Sequence, residues 1–250
     1  MNAQDLDGAV IAVAGAAGPA GQAALRRLAS AGATVVACDR DAEGLAAAAE
    51  DAARHAPAAP PVRTETVDLL DAQATREWAV RTEKDLGRTD GLVHLVGGWR
   101  GAPSFPQTDL ADWDLLHNLL VRTVQHTSLA FHDPLLASPH GRFVVVSAAG
   151  AGKPTAGNAA YATAKAATEA WTLALADSFR RAGGESGPTA AATILVVKAL
   201  VHDQMRAQRP EAKFPGYTDV AELAEAIAGL WTRPAEEVNG KRQWLTPQPK

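Results

Sequence analysis

The sequence predicts an α/β fold: one doubly wound domain over residues 1–250, built on a parallel sheet of about seven strands flanked by helices. Three observations carry this expectation. Short β-branched runs alternate with longer helical stretches, the pattern of stacked βαβ units. The strand count uses nearly the whole of the 250 residues. No internal repeat, low-complexity tail or long linker divides the chain.

The first strand is Val10-Ile11-Ala12-Val13, followed by a Gly-rich turn and a helix from Gln22 to Ala31 in which Leu25 and Leu28 share one face. Gly32 stops that helix, and Thr34-Val35-Val36-Ala37 completes the first βαβ unit. The alanine-rich stretch from Ala42 to Arg54 reads as a second helix, broken by Pro57, Pro60 and Pro61 before a strand near Thr64 to Val67. A helix from about Gln73 to Leu86 leads into the apolar run Leu92 to Val96. One long helix is expected from about Asp112 to Leu136, interrupted or ended near Pro134. Phe143 to Val146 is the fifth strand, Tyr161 to Arg181 a helix, Thr193 to Val197 the sixth strand and Val220 to Thr232 the last clear helix. A strand near Gln243 to Leu245 closes the count.

Composition narrows the function classes. The chain is 47% hydrophobic and 21% charged with a formal net charge of -4, an ordinary globular balance rather than the basic one of a dedicated nucleic-acid binder. Cys38 is the only cysteine, so no intrachain disulfide or cysteine zinc cluster can form, which fits a reducing, cytoplasmic setting. The start, Met1 to Asp7, lacks a basic segment leading into an apolar stretch, and no apolar run reaches the ~18 residues of a membrane helix. Neither export nor membrane insertion is therefore expected. The histidines form no ligand spacing, so no metal is expected either.

Gly15, Gly18 and Gly21 lie between the first strand and the first helix. Glycines there permit a tight turn and close backbone approach, and free N–H groups at a helix start attract a pyrophosphate. Asp39 ends the second strand about 20 residues beyond, where a carboxylate accepts hydrogen bonds from an adenosine ribose and repels a 2′-phosphate. That favours NAD, while the adjacent Arg40 keeps NADP open. The plainer reading is a glycine-closed βα turn with Asp39 capping the next helix.

Tyr161 and Lys165 stand at i and i+4 on one helical face. A tyrosine titrates near pH 10 unless positive charge lies nearby, and Lys165 can supply it. Ser147 follows the fifth strand at the carboxyl edge of the sheet, where open α/β folds bind ligands. A tyrosine and lysine four apart also occur as an ordinary surface pair. The glycine turn and the serine together give the pair its weight.

With these residues in view, the chain resembles the short-chain dehydrogenase/reductase family over essentially its full length. The resemblance implies a Rossmann-type fold, with Gly15, Gly18 and Gly21 at the cofactor phosphates and Asp68 at the adenine ring. It implies a catalytic Tyr161-x-x-x-Lys165 pair, Ser147 orienting the substrate oxygen, and Asn118 supporting a proton relay to the lysine. The mechanism it implies has Tyr161 transferring the proton, Lys165 lowering its pKa and holding the nicotinamide ribose, and hydride moving between nicotinamide and a carbonyl or alcohol carbon. It also implies a homodimer or homotetramer through the two long helices.

The chain departs from the family in four places. Pro19 replaces the middle glycine of the phosphate turn, and His94-Leu95-Val96-Gly97 keeps only Gly97 of an Asn-Asn-Ala-Gly motif. Ser147 lies one residue further from Tyr161 than usual. Lys198-Ala199 stands for Pro-Gly after the sixth strand, with Asp203 at the place of a threonine that contacts the carboxamide. Trp99, Arg100, Phe105, residues 149–155 and residues 202–217 are the expected substrate lining. The leading expectation is an NAD(P)-dependent oxidoreductase acting on a small carbonyl or alcohol. The alternative is a non-catalytic dinucleotide-binding or scaffold protein on the same fold; an epimerase or dehydratase would need a larger substrate region.

Overall fold

The computed structural model describes residues 6–247. Most of the stretch read for an export signal, Met1 to Asp5, lies outside the described residues. The first half of the chain runs β1 (Val10–Ala14), α1 (Pro19–Ser30), β2 (Thr34–Asp39), α2 (Ala42–His55), β3 (Arg63–Thr66), α3 (Ala72–Leu86), β4 (Gly91–His94) and α4 (Leu110–Leu116). A π-helical segment, His117–Arg122, joins α4 to α5 (Thr123–Ala137), followed by β5 (Arg142–Ala148), α6 (Ala159–Ala182) and β6 (Ala191–Val197). The chain ends with β7 (Leu200–Val201), α7 (Asp203–Gln208), β8 (Thr218–Asp219), α8 (Val220–Ala228), α9 (Ala235–Val238) and β9 (Arg242–Trp244).

Seven strands form one parallel sheet in the order β3-β2-β1-β4-β5-β6-β9. The order reverses between β1 and β4, which opens a crevice at their carboxyl ends. Side chains alternate across the sheet. Ile11 and Val13 of β1 pack with Leu25, Leu28, Leu45, Leu223 and Ile227 on the face covered by α1, α2 and α8. Val10, Ala12 and Ala14 face the other way, toward Trp78, Phe131 and Phe179 of α3, α5 and α6.

The amino ends of the strands are tied together by buried polar groups. Asp90 accepts hydrogen bonds from Val10 N, Arg88 Nη2 and Ser138 Oγ. Arg142 donates to the carbonyls of Gly141, Thr189, Leu230 and Arg233, and burial pushes its guanidinium down to about 10. A buried cation is tolerated there because each of its three nitrogens meets a carbonyl. The carboxyl ends are left free for chemistry.

Several boundaries differ from expectation for identifiable reasons. Helix α1 begins at Pro19, whose missing N–H is harmless at the first helical position. Strand β4 stops at His94, and the chain turns outward after Leu95 N bonds Ala14 O. Pro134 does not end the long helix: it lies in the last turn of α5, which continues to Ala137. The same helix is interrupted earlier, where Thr123 N reaches back to Asn118 O in an i to i−5 bond. The short β7·β8 pair was not legible in a segment without periodicity.

Candidate active site

The glycine turn is shaped by contact. Gly15 has φ +81°, and a Cβ on it would lie 2.6 Å from Val96 N. A Cβ on Gly21 would lie 2.3 Å from Gly15 O, inside the turn itself. Gly18 is different: it caps α1 with no side-chain bond to the helix, and an added Cβ would meet only Gly15 O at 3.7 Å. The first turn of α1 therefore presents backbone donors with no capping side chain, the chemistry an anionic phosphate requires. The cradle fits a dinucleotide pyrophosphate through the remaining first-turn N–H groups, Pro19 supplying none.

Asp39 closes the turn from the side. Its Oδ2 accepts from Ala17 N at 3.0 Å and its Oδ1 from Asp41 N at 3.2 Å, while Asp41, not Asp39, caps α2. Arg40 is exposed beside it. Asp68 is exposed past β3, its Oδ1 accepting from Leu70 N at 3.0 Å. Gly97 is exposed past β4, and a Cβ there would meet only Leu95 O at 3.8 Å, so nothing steric requires glycine.

Lys165 is buried where α6 crosses the end of β5. Its Nζ donates to Val146 O at 2.7 Å and lies 5.9 Å from the centroid of the Tyr161 ring. Burial lowers the ammonium to about 8, and Glu169 opposes that shift. Tyr161 moves opposite to the expected direction: burial pushes its phenol up to about 12. The phenol is accordingly neutral at ordinary pH, and the lysine does not reverse the effect of desolvation.

Ser147 and Asn118 are placed differently from expectation. Ser147 is 1% exposed, and its Oγ donates to Glu169 Oε1 at 2.6 Å rather than standing free toward an open site. Asn118 is exposed on the π segment while Leu116, Leu120 and Val121 turn inward. The structure thus does not bring the Asn118 side chain to Lys165. The extra residue of the π turn changes which residues of the helix face inward, and Leu120 O is bonded by Thr168 Oγ1 at 2.7 Å.

Three groups that sequence reasoning missed complete the arrangement. Glu169 continues the i, i+4 row of Tyr161 and Lys165 by one more turn, a signal present in the sequence. Arg242 binds Glu169 from β9, with Nε 3.0 Å from Oε2 and Nη2 3.2 Å from Oε1. His94 is buried at the end of β4, with Nε2 3.1 Å from Thr123 Oγ1 and Nδ1 3.1 Å from Thr127 Oγ1. Thr123 and Thr127 donate their own protons to Leu119 O and Thr123 O, so both hydroxyls present lone pairs to the imidazole. Desolvation first, and the Lys165 charge second, push His94 down to about 3.

The expected substrate lining is mostly exposed, including Trp99 and Phe105. Lys198, at the place of the expected Pro-Gly, donates to Pro215 O at 2.9 Å and lies 5.8 Å from the Tyr217 ring centroid. Asp203 opens α7, and its neighbour Arg206 pairs with Asp219 at 2.6 Å. A cavity of about 340 Å³ beneath this segment is lined by Val201, Arg206, Arg209, Lys213, Phe214 and Tyr217 among others, not by Ser147, Tyr161 or Lys165. Among the described residues no group of three or more His, Cys, Asp or Glu is placed to hold a metal, and no helix is long and apolar enough to cross a membrane.

A glycine cradle at the switch point of a doubly wound sheet, with a tyrosine and lysine on the helix beside it, defines a dinucleotide-binding α/β class. Comparison with known proteins narrows the class, since the family described as short chain dehydrogenase matches residues 9–183. The chain belongs to that family. It is 31% identical over 178 residues to the 2,3-dihydro-2,3-dihydroxybenzoate dehydrogenase of Bacillus subtilis, covering 70% of this chain and 66% of that enzyme. It is 32% identical over 186 residues to the 2,3-dihydroxy-2,3-dihydro-p-cumate dehydrogenase of Pseudomonas putida, covering 73% and 69%. Among solved structures, the NADPH-bound short chain oxidoreductase of Pseudomonas aeruginosa PAO1, described as containing an atypical catalytic center, superposes with a TM-score of 0.81 at 25% identity over 96% of each chain.

Two outcomes follow from this geometry. Gly21→Ala, which forces a Cβ into the turn, is expected to cost about 1 to 3 kcal/mol in urea unfolding and to abolish NADH fluorescence enhancement, whereas Gly18→Ala leaves stability within about 0.5 kcal/mol. His94 is neutral in the fold and protonates near pH 6.5 when unfolded, so the unfolded state binds the extra proton and stability falls with acid from about pH 6.5 toward the folded value of about 3. Between pH 6.5 and 4 that loss amounts to about 3 kcal/mol. His94→Asn is expected to flatten this part of the stability curve, measured by urea unfolding across pH.

Proposed function

We propose that this chain is a nicotinamide-dependent oxidoreductase in which Tyr161 carries the proton and Lys165 charges the site. The observation that supports it most is the juxtaposition of half-buried Tyr161 and buried Lys165 with the glycine cradle, both at the carboxyl edge of β1, β4 and β5. The residues that would hold the dinucleotide are Gly15, Gly18 and Gly21 at the phosphates, Asp39 at the adenosine ribose, Asp68 at the adenine and Lys165 at the nicotinamide ribose. When bound, the nicotinamide supplies or accepts the hydride.

The chain's own part is proton handling and orientation. Tyr161 Oη, neutral in the structure, gives its proton to the oxygen of a reduced carbonyl, or takes one from an alcohol once ionised. Lys165 Nζ supports the phenolate electrostatically, an effect strengthened by exclusion of water. Ser147 Oγ, buried near the end of β5 with its proton given to Glu169, is left with lone pairs that accept from the hydroxyl of an alcohol substrate. NAD is the preferred cofactor, because the Asp39 carboxylate would repel a 2′-phosphate. The substrate class is a cyclic vicinal diol or the corresponding hydroxyketone, by analogy with the two dihydrodiol dehydrogenases it resembles. Self-association through α5 and α6 belongs to the same reading, supported by the exposed Leu129 and Leu173 on those helices.

The test is a stopped or steady-state assay at 340 nm with NAD and NADP against a panel of cyclic vicinal diols, mono-alcohols and ketones. Turnover is expected with NAD in preference to NADP, and Tyr161→Phe is expected to lower kcat by about 100-fold or more. Tight NADH binding with no turnover on any panel member, in protein that remains folded, would instead support a non-catalytic dinucleotide-binding protein.

A further inference from the structure

Beyond the Tyr161–Lys165 pair, a second charged group is built into the same helix. Glu169 is 9% exposed on α6, and a carboxylate taken that far out of water needs partners. It has three. Arg242 meets both oxygens in a fork, Nε to Oε2 at 3.0 Å and Nη2 to Oε1 at 3.2 Å, while Ser147 Oγ donates to Oε1 at 2.6 Å. Arg242 is itself seated 5.3 Å from the Trp244 ring centroid, which fixes the fork on β9.

We infer that Glu169, held by Arg242, is a positioning residue: it fixes the Ser147 hydroxyl and sets a negative charge one helical turn from the buried Lys165 ammonium. The inference rests on the reading of Tyr161 and Lys165 as the proton-handling pair. A tie between α6 and the edge strand β9 would be complete with Arg242 alone. The third contact instead reaches the end of β5, to the residue at the place of the substrate-orienting serine. A serine that gives its proton to a carboxylate presents lone pairs, not a proton, to whatever approaches it.

The charges around Lys165 make the balance specific. His94 faces it from β4, Tyr161 and Glu169 from its own helix, and Arg242 faces Glu169 from β9. His94 is neutral, so Glu169 is the negative group in this set that opposes the burial of the ammonium. Removing that charge while keeping the side chain's shape makes Lys165 lose its proton at lower pH.

The experiment is a pH titration of Lys165 by the 13Cε chemical shift in lysine-labelled protein, the signal assigned with Lys165→Arg. Wild type, Glu169→Gln and Glu169→Asp are compared. The midpoint for Lys165 is expected to fall by about one pH unit or more in Glu169→Gln, and by less in Glu169→Asp, whose shorter carboxylate withdraws from Ser147 but keeps its charge. Should Glu169→Gln not fold, the downward shift in Glu169→Asp decides. A midpoint unchanged from wild type in the folded variants would overturn the inference and leave Glu169 a strand tie. This readout needs no turnover, so absence of hydride transfer in the wild type counts against the oxidoreductase reading alone. Where turnover is present, the alkaline limb of kcat in Glu169→Gln is expected to move down by the same amount as the Lys165 midpoint, a displacement a purely structural tie would not produce.

Discussion

The burial of one ammonium organises the site. Lys165 is removed from water between α6 and β5, a transfer that costs several kcal/mol for an unpartnered charge. Its partners are therefore the residues the fold must hold in place. The Val146 carbonyl bonds it directly, Tyr161 packs its ring alongside, and Glu169 supplies opposite charge a turn further on. His94, facing the same cation from β4, is held neutral between two threonine hydroxyls.

The glycine turn obeys a different constraint, set by distance rather than charge. The turn after β1 passes so close to the chain leaving β4 that Gly15 has no room for a side chain, and Gly21 must fit beneath the Gly15 carbonyl. Asp39 stitches that turn to β2 through Ala17 N. Pro19 extends the same economy, since a residue without an N–H is suited to the first position of α1. The two ends meet across the β1/β4 switch point, while Asp90 and Arg142 bind the opposite ends of the strands. Strand fixation and chemistry thus occupy opposite edges of one sheet.

Much of this was legible in the chain, for reasons that differ by element. The strands of the parallel sheet are buried on both faces, so Val10 to Val13 and Thr193 to Val197 stand out as apolar runs between helical stretches. The Tyr161 and Lys165 spacing is local and survives in the structure as a shared helix face. What depends on distant partners was not legible. The Ser147–Glu169 bond joins two elements, and the Glu169–Arg242 pair joins a helix to the last strand. Asn118 was read from family resemblance alone, and in the structure its side chain is exposed on the π segment. The direction of the Tyr161 shift was missed because charge was weighed without desolvation, and burial proved the larger effect.

The central claim is that one crevice holds the dinucleotide against the Tyr161–Lys165 pair. A crystal structure of the protein grown with saturating NADH tests it most directly. The account predicts the pyrophosphate at the first turn of α1 between Gly15 and Gly21, with the nicotinamide ribose within hydrogen-bond distance of Lys165 Nζ and the ring facing Tyr161. A dinucleotide bound with its nicotinamide directed away from Tyr161, or no dinucleotide at the cradle under saturating conditions, would contradict it.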